Sequence, residues 1–267
     1  MTGRTGGRLL VDCLLAQGAD TAFGVPGESY LAVLDAFHDV EDRLRFVTCR
    51  QEGGAAYMAE AWGRLTGRPG ICFVTRGPGA TNASIGVHTA DQGSTPMILF
   101  VGQVGRPHRG LEAFQEIEYT SFFDDLAKWV VEVDSADDLP RVVEAAFTVA
   151  MSGRPGPVVI DFPKNIQQQT AQPVWPDSID LPGYDACPKA DDIELNEIIG
   201  LIEKAERPVL YCGGGVITGN ASKELRAFVE ATKIPVTTTI MGVGAFPETH
   251  KLSLRWLGMH GAAYANW

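Results

Sequence analysis

Apolar and polar positions alternate along the chain in two rhythms. Short, nearly continuous apolar runs lie at residues 46–48, 71–75, 97–101 and 158–161. Their length and β-branched content predict strands buried on both faces. Between them, apolar residues recur at three- and four-residue spacing over 7–17, 30–38, 52–65, 81–91 and 139–152, the pattern of amphipathic helices. Alternation of this kind predicts an α/β fold, a parallel sheet wrapped by helices, with ligand chemistry at the carboxyl ends of the strands.

The rhythm breaks at Gln167-Gln168-Gln169. Beyond it, Pro173, Pro176, Pro182 and Pro188 are interspersed with aspartates at 177, 180, 185 and 191. This composition predicts a linker over 171–190, between a first domain at 1–170 and a second unit at 191–267. Helical periodicity resumes at 191–205, followed by a strand at 209–212, Gly213-Gly214-Gly215, a helix near 222–232 and a strand at 235–239. That is a βαβ unit, short for a domain. No internal repeat is present.

Composition narrows the class. Apolar residues make up 45% and charged residues 21%, as in ordinary globular chains. The net charge of −11 and the lack of a basic run exclude a nucleic-acid partner. The longest stretch free of Asp, Glu, Lys and Arg, 208–222, is short and broken by three glycines, so no membrane span is expected. Met1-Thr2-Gly3-Arg4 leads into an amphipathic segment containing Asp12, unlike a secretory signal, and a cytoplasmic location is expected. Cys13, Cys49, Cys72, Cys187 and Cys212 are odd in number and contain no Cys-x-x-Cys pair. Buried reduced thiols are expected rather than a disulfide framework or a zinc site.

Two segments carry candidate chemistry. In Arg50-Gln51-Glu52-Gly53-Gly54-Ala55-Ala56-Tyr57-Met58-Ala59-Glu60, a carboxylate at a strand end opens a helix of small residues. That arrangement admits a cofactor or another backbone beside Glu52, but it equally describes an acid favourably placed at a helix N-terminus. In Thr75-Arg76-Gly77-Pro78-Gly79-Ala80-Thr81-Asn82, a Gly-Pro-Gly turn joins a strand to a helix. Free N–H groups there can face a ligand. The segment lacks the Gly-Lys-Ser/Thr ending of a phosphate loop, and a turn used only to reverse the chain has the same look.

Taken in order, these segments resemble the large subunit of acetolactate (acetohydroxyacid) synthase, a thiamine diphosphate enzyme. The resemblance also rests on Gly24-Val25-Pro26-Gly27, Gly102-Gln103-Val104, Ala113-Phe114-Gln115-Glu116, Ser152-Gly153-Arg154-Pro155-Gly156-Pro157 and Leu257-Gly258-Met259-His260-Gly261. It runs from about residue 7 to the end. It implies a parallel-sheet pyrimidine-binding domain joined to part of a Rossmann-like central nucleotide domain that binds FAD.

The residue matching Glu52 hydrogen-bonds N1′ of the aminopyrimidine and favours the imino tautomer that removes the thiazolium C2 proton. Shielding by the small-residue helix would disfavour its charged form. Pro26, Thr75, Pro78, Asn82 and Gln115 match cofactor-site positions. Phe114 and Gln115 match residues facing the reactive end of the cofactor, and Lys164 matches a lysine near the substrate channel. Read without the resemblance, Phe114 is a core residue, Asn82 a helix-start hydrogen-bonder and Lys164 a surface charge. Arg154, Gly213, Gly214, Gly215, Thr239, Ile240, Leu257, Gly258, Met259 and His260 match flavin-nucleotide contacts. The strand ending in Thr237-Thr238-Thr239 lacks the carboxylate of an NAD ribose site, which argues against a dehydrogenase.

The implied reaction is decarboxylation of a 2-oxoacid, pyruvate, and ligation to a second 2-oxoacid, a transferase step of branched-chain amino acid biosynthesis. Implied partners are a homodimer or homotetramer mate and a regulatory small subunit. Against the synthase pattern, Glu28-Ser29 stands where a glycine and an alanine are usual, and Gly105 where proline is usual. Both lie near the implied substrate entrance. A carboxylate at 28 would repel an anionic substrate or select a neutral or cationic one. No Gly-Asp-Gly occurs, so the Mg²⁺ and diphosphate ligands are expected outside this chain, which reads as the amino-terminal portion of a longer protein. Alone it is expected to be inactive. Another thiamine diphosphate lyase or decarboxylase and a non-catalytic binding fragment remain as alternatives. Because the net charge opposes anionic ligands, their binding must rest on local groups such as Arg154, Lys164 and helix N-termini.

Overall fold

The computed structural model describes every residue except Met1, Thr2, Pro173, Asp177, Asp180, Gly183 and Cys187. The expected linker residues at 173, 177 and 180, and the Cys187 thiol, therefore lie outside the described residues. The chain divides into two compact units, Met1–Cys187 and Pro188–Trp267.

The first unit runs β1 (Arg4–Thr5), α1 (Gly6–Ala16), β2 (Thr21–Gly24), α2 (Leu31–His38), β3 (Arg45–Thr48), α3 (Glu52–Thr66), β4 (Gly70–Val74) and α4 (Pro78–Gln92). It continues with β5 (Met97–Gln103), α5 (Tyr119–Phe122), β6 (Trp129–Glu132), α6 (Leu139–Met151), β7 (Pro157–Pro163), α7 (Lys164–Gln168) and β8 (Thr170–Ala171). Six of these strands form a parallel sheet in the order β3-β2-β4-β5-β7-β6.

Successive residues on a strand point to opposite faces, and both faces here are covered. Ile71, Phe73, Ile98, Phe100, Val158, Ile160 and Phe162 pack with α1, α2 and α6. Cys72, Val74, Met97, Leu99, Val101 and Val159 pack with α3 and α4. Burial on both sides explains why β4, β5 and β7 read as continuous apolar runs. At the sheet's centre Phe73 stacks on Phe100, ring centroids 4.6 Å apart.

Two strands of this six-stranded sheet are absent from the sequence reading. β2, Thr-Ala-Phe-Gly, has little apolar bulk, and Gly24 must stay small because a Cβ would lie 2.5 Å from the Phe73 carbonyl oxygen. β6 is a half-exposed edge strand, defined by its pairing with β7. Part of the segment expected as a linker packs on this unit. Ala171 pairs with Arg4, Leu181 joins the core, and the Tyr184 hydroxyl accepts from Lys128 Nζ at 2.7 Å. The apolar and tyrosine anchors within that polar segment supply these contacts.

The second unit contains α8 (Asp192–Lys204), β9 (Leu210–Cys212), α9 (Gly215–Thr218), α10 (Ser222–Thr232), β10 (Val236–Thr238) and β11 (Ser253–Trp256). Its three strands are parallel, in the order β11-β10-β9. Cys212, Val229, Val236 and Phe246 form a small core. A reciprocal cap fixes the start of α8, with Asp191 accepting from the Glu194 N–H and Glu194 from the Asp191 N–H. Among the described residues no helix is long and apolar enough to cross a membrane.

Candidate cofactor and substrate site

The loops leaving β2, β3, β4, β5 and β7 meet at the carboxyl edge of the first unit's sheet, where open parallel sheets bind ligands. Glu52 opens α3, capped by the Gln51 side chain, which accepts from the Gly54 N–H at 2.8 Å. Asn82, on the second turn of α4, donates through Nδ2 to Glu52 Oε2 at 3.0 Å. Among the described residues no other hydrogen bond reaches that carboxylate, so its second oxygen is available.

Close packing of α3 on α4 brings these two side chains together. A Cβ on Gly86 would lie 2.4 Å from the Ala56 Cβ, and one on Gly53 would lie 3.2 Å from the Asn82 carbonyl oxygen. The small residues therefore serve helix packing, and Ala55, Ala56, Ala59, Ala80, Ala83 and Ala90 are buried there. The expected shielding of Glu52 is incomplete in this chain. Glu52 is half-buried and Asn82 exposed, because the small residues face α4 instead of enclosing the carboxylate.

The Gly-Pro-Gly turn departs from expectation in its donors. Gly77 adopts φ +57°, ψ −112° and precedes a helix that starts at Pro78. Its N–H is not free but donates to the Tyr119 hydroxyl at 2.6 Å. A Cβ on Gly77 would lie 2.7 Å from the Gln115 Cβ, so this glycine lets the loop after β5 close onto the turn. Gln115 itself has φ +62°. Thr75 Oγ1 lies 2.7 Å from Ser29 Oγ. Pro26 and Pro78 are exposed at the same edge.

Phe114 is 75% exposed, not core. Its carbonyl accepts from Arg76 Nε at 2.9 Å, and the Arg76 guanidinium sits over its ring, 5.8 Å from the centroid. Lys164, at the end of β7, donates to Glu28 Oε2 at 2.9 Å, and Arg76 Nη2 donates to Glu28 Oε1. Hydrogen bonds from Arg76 and then Lys164 hold the Glu28 acid below the usual carboxylate range.

Behind this edge lies a buried group that the motif reading missed, Asp161 on β7. Gln103 Nε2 donates to its Oδ2 at 3.1 Å, while Oδ1 has no partner among the described residues. Burial pushes its acid well above the ordinary value. A lone carboxylate ending the apolar run Val158-Val159-Ile160 was the available signal. Nearby, Arg109 ties the loop after β5 to Glu118 at 2.8 Å and Glu132 at 3.0 Å.

Arg154 is not part of this cluster. It precedes β7, at the amino edge, and donates to Ser94 Oγ at 2.8 Å and the Asp91 carbonyl at 2.9 Å. In the second unit, Gly213, Gly214, Thr239, Ile240, Leu257 and Gly258 gather at the carboxyl ends of β9, β10 and β11. Thr239 N–H donates to the Cys212 carbonyl at 2.9 Å, and Leu257 N–H to Thr238 at 3.2 Å. Met259 and His260 are exposed beyond β11. A Cβ on Gly214 would meet the Met241 carbonyl oxygen at 3.0 Å, whereas one on Gly215 would meet nothing within 4 Å.

Residues 4–122 match the thiamine pyrophosphate enzyme N-terminal TPP binding domain, and residues 195–267 match the central domain of the same enzymes. The chain belongs to the thiamine pyrophosphate enzymes. It is 44% identical over 266 residues to acetolactate synthase 3, chloroplastic, of Brassica napus, an alignment covering 99% of this chain and 40% of that protein. It is 41% identical over 261 residues to the acetolactate synthase large subunit of Corynebacterium glutamicum, covering 98% of this chain and 42% of that protein. The corresponding subunit of Parasynechococcus marenigrum is 44% identical over 268 residues, covering 98% and 43%. This thiamine pyrophosphate enzyme chain thus spans about two fifths of the length of the curated relatives it matches. Glu52, Asn82, Pro78, Gln115 and Phe114 all fall within its TPP-binding domain.

Proposed function

We propose that the complete protein is a transferase of the acetolactate synthase type, which decarboxylates pyruvate and joins the remaining two-carbon unit to a second 2-oxoacid. The observation that carries this reading is the Glu52 carboxylate, half-buried at the carboxyl edge of a TPP-binding domain, with one oxygen held by Asn82 and the other available. Identity of 44% to an acetolactate synthase supports it.

These residues fit the pyrimidine half of thiamine diphosphate. A carboxylate with one anchored and one unpaired oxygen suits a single ring-nitrogen contact, and the exposed Pro78 and Asn82 border it. When bound, the cofactor supplies the electron sink for loss of CO₂. Glu52 holds or shares a proton at the ring nitrogen, Asn82 fixes the orientation of the carboxylate, and Phe114 and Gln115 border the reacting end. Lys164 and Arg76 place two cations at the same edge of the sheet, both bonded to Glu28.

The second unit fits a nucleotide such as FAD. Gly215 has open space where its side chain would be, and Gly213 meets only Thr239 Oγ1, at 3.9 Å. Their smallness is not required by the chain's own packing and leaves room for a diphosphate against the backbone. Thr239, Ile240, Leu257, Gly258, Met259 and His260 would border it. Among the described residues no cluster of His, Cys, Asp or Glu is arranged to hold a metal ion. We place the Mg²⁺ and diphosphate ligands in the part of the relatives that this chain does not match. A homodimer or homotetramer, with a regulatory small subunit, completes the reading.

The test is an assay of the complete protein with thiamine diphosphate, Mg²⁺ and a panel of 2-oxoacids. Acetolactate formed from pyruvate is the expected product. Inert pyruvate alongside turnover of another acid would overturn the synthase assignment.

A further inference from the structure

Glu28 departs from the synthase pattern, and the structure places it where it matters. Three strands deliver one carboxylate and two cations to one point: Glu28 from the turn after β2, Arg76 from the turn after β4 and Lys164 from the end of β7. Lys164 Nζ sits 2.9 Å from one Glu28 oxygen, and Arg76 Nη2 binds the other. The partners differ in exposure. Arg76 is 8% exposed and pinned by the Phe114 carbonyl and ring. Glu28 and Lys164 have side chains 54% and 43% exposed. The buried element is thus a cation, and the carboxylate that covers it is exposed.

A guanidinium and an ammonium converging on two carboxylate oxygens form a recognition site for a carboxylate, whichever molecule supplies it. Here the chain supplies its own. The Lys164–Glu28 pair, exposed on both sides, contributes little to stability, so holding the fold is a weak reason for Lys164 to join the arrangement. Occupancy of the site has a direct consequence: a 2-oxoacid can place its carboxylate between Arg76 and Lys164 only by displacing Glu28.

We propose that Glu28 is a specificity-determining residue, an internal carboxylate that occupies the Arg76–Lys164 pair and lowers the affinity of this edge for the carboxylate of a 2-oxoacid. The proposal rests on the reading of this edge as the substrate side of the site. It concerns anion binding, which is measurable without turnover.

The experiment titrates pyruvate, and separately its uncharged ester methyl pyruvate, into the 267-residue chain. Binding is followed by calorimetry and by the ligand's NMR signals. In Glu28→Gln and Glu28→Gly, pyruvate binding should tighten at least about tenfold, the order expected when one competing charge-assisted contact is removed. Methyl pyruvate binding should not change. Adding Lys164→Met to either variant should abolish the gain. Circular dichroism matching wild type confirms folding, and two replacements at 28 guard against failure of either one. Equal pyruvate affinity in wild type and both variants overturns the proposal. So does an equal gain for the ester, or a gain that survives Lys164→Met. If pyruvate proves inert in the assay of the complete protein but the charge-dependent gain persists, the synthase reading fails while the anion site stands. The converse result removes only the role of Glu28.

Discussion

Gly86→Ala sets two physical effects against each other, and the structure decides the sign. In an isolated helix the replacement is favourable by about 1 kcal/mol, because alanine loses less backbone entropy. In α4, however, the new Cβ would sit 2.4 Å from the Ala56 Cβ and 2.9 Å from the Ala56 carbonyl carbon. Carbon atoms pack at about 3.5–4.0 Å, so α3 and α4 must separate by roughly 1 Å. Overpacking of this kind costs about 1–3 kcal/mol, and much of the displacement falls on backbone. A net loss of about 1–2 kcal/mol is expected, or about 2–8 °C in Tm at some 2–4 °C per kcal/mol for a unit of this size. Gly54→Ala on α3 is the paired control. Its Cβ would meet only Gln51 Oε1, at 3.9 Å, and stability should hold or rise by up to about 1 kcal/mol. Urea denaturation and thermal melting of the chain measure both. A Gly86→Ala chain more stable than wild type would refute the claim that close approach of α3 and α4 positions Asn82 beside Glu52.

Two further predictions follow from buried groups. Tyr119→Phe removes the acceptor of the Gly77 N–H; leaving that donor unsatisfied should cost about 1–3 kcal/mol by urea denaturation, and an unchanged midpoint would contradict the assigned bond. Asp161 binds its proton more tightly folded than unfolded, so between the unfolded pKa, about 3.9, and the raised folded value the native state holds the extra proton. Its contribution to stability must therefore fall as pH rises through that window. Asp161→Asn should flatten this dependence in denaturation curves collected across pH, whereas an unaltered slope would show that Asp161 is not its source.

Legibility followed burial. β4, β5 and β7 are covered on both faces, and their apolar runs announce them in the sequence. β2 and β6 carry a small-residue pattern and a half-exposed edge, so their assignment depends on neighbours distant in the chain. The longer helices were legible and the short α5, α7 and α9 were not, and α4 starts at Pro78 rather than at 81, because proline is accommodated in a first helical turn. At the site, Glu52 and Asn82 stood out through resemblance, yet their hydrogen bond depends on Gly86, which looked like an ordinary helix glycine. Glu28, Arg76 and Lys164 could not be grouped from spacing. Separations of 48 and 136 positions are bridged only because parallel strands bring every second loop to the same edge. Ser29 and Tyr119, which hold the turn after β4, were missed for the same reason.

The central claim is that Glu52 controls the proton chemistry of bound thiamine diphosphate. Exchange of the thiazolium C2 proton in the complete protein, wild type against Glu52→Gln, tests it most directly, with cofactor binding checked in both. The account predicts exchange slowed by at least about 100-fold in the variant, in the range attributed to a positioned proton-transfer group, with cofactor still bound. Exchange at the wild-type rate in a cofactor-loaded Glu52→Gln protein would contradict it.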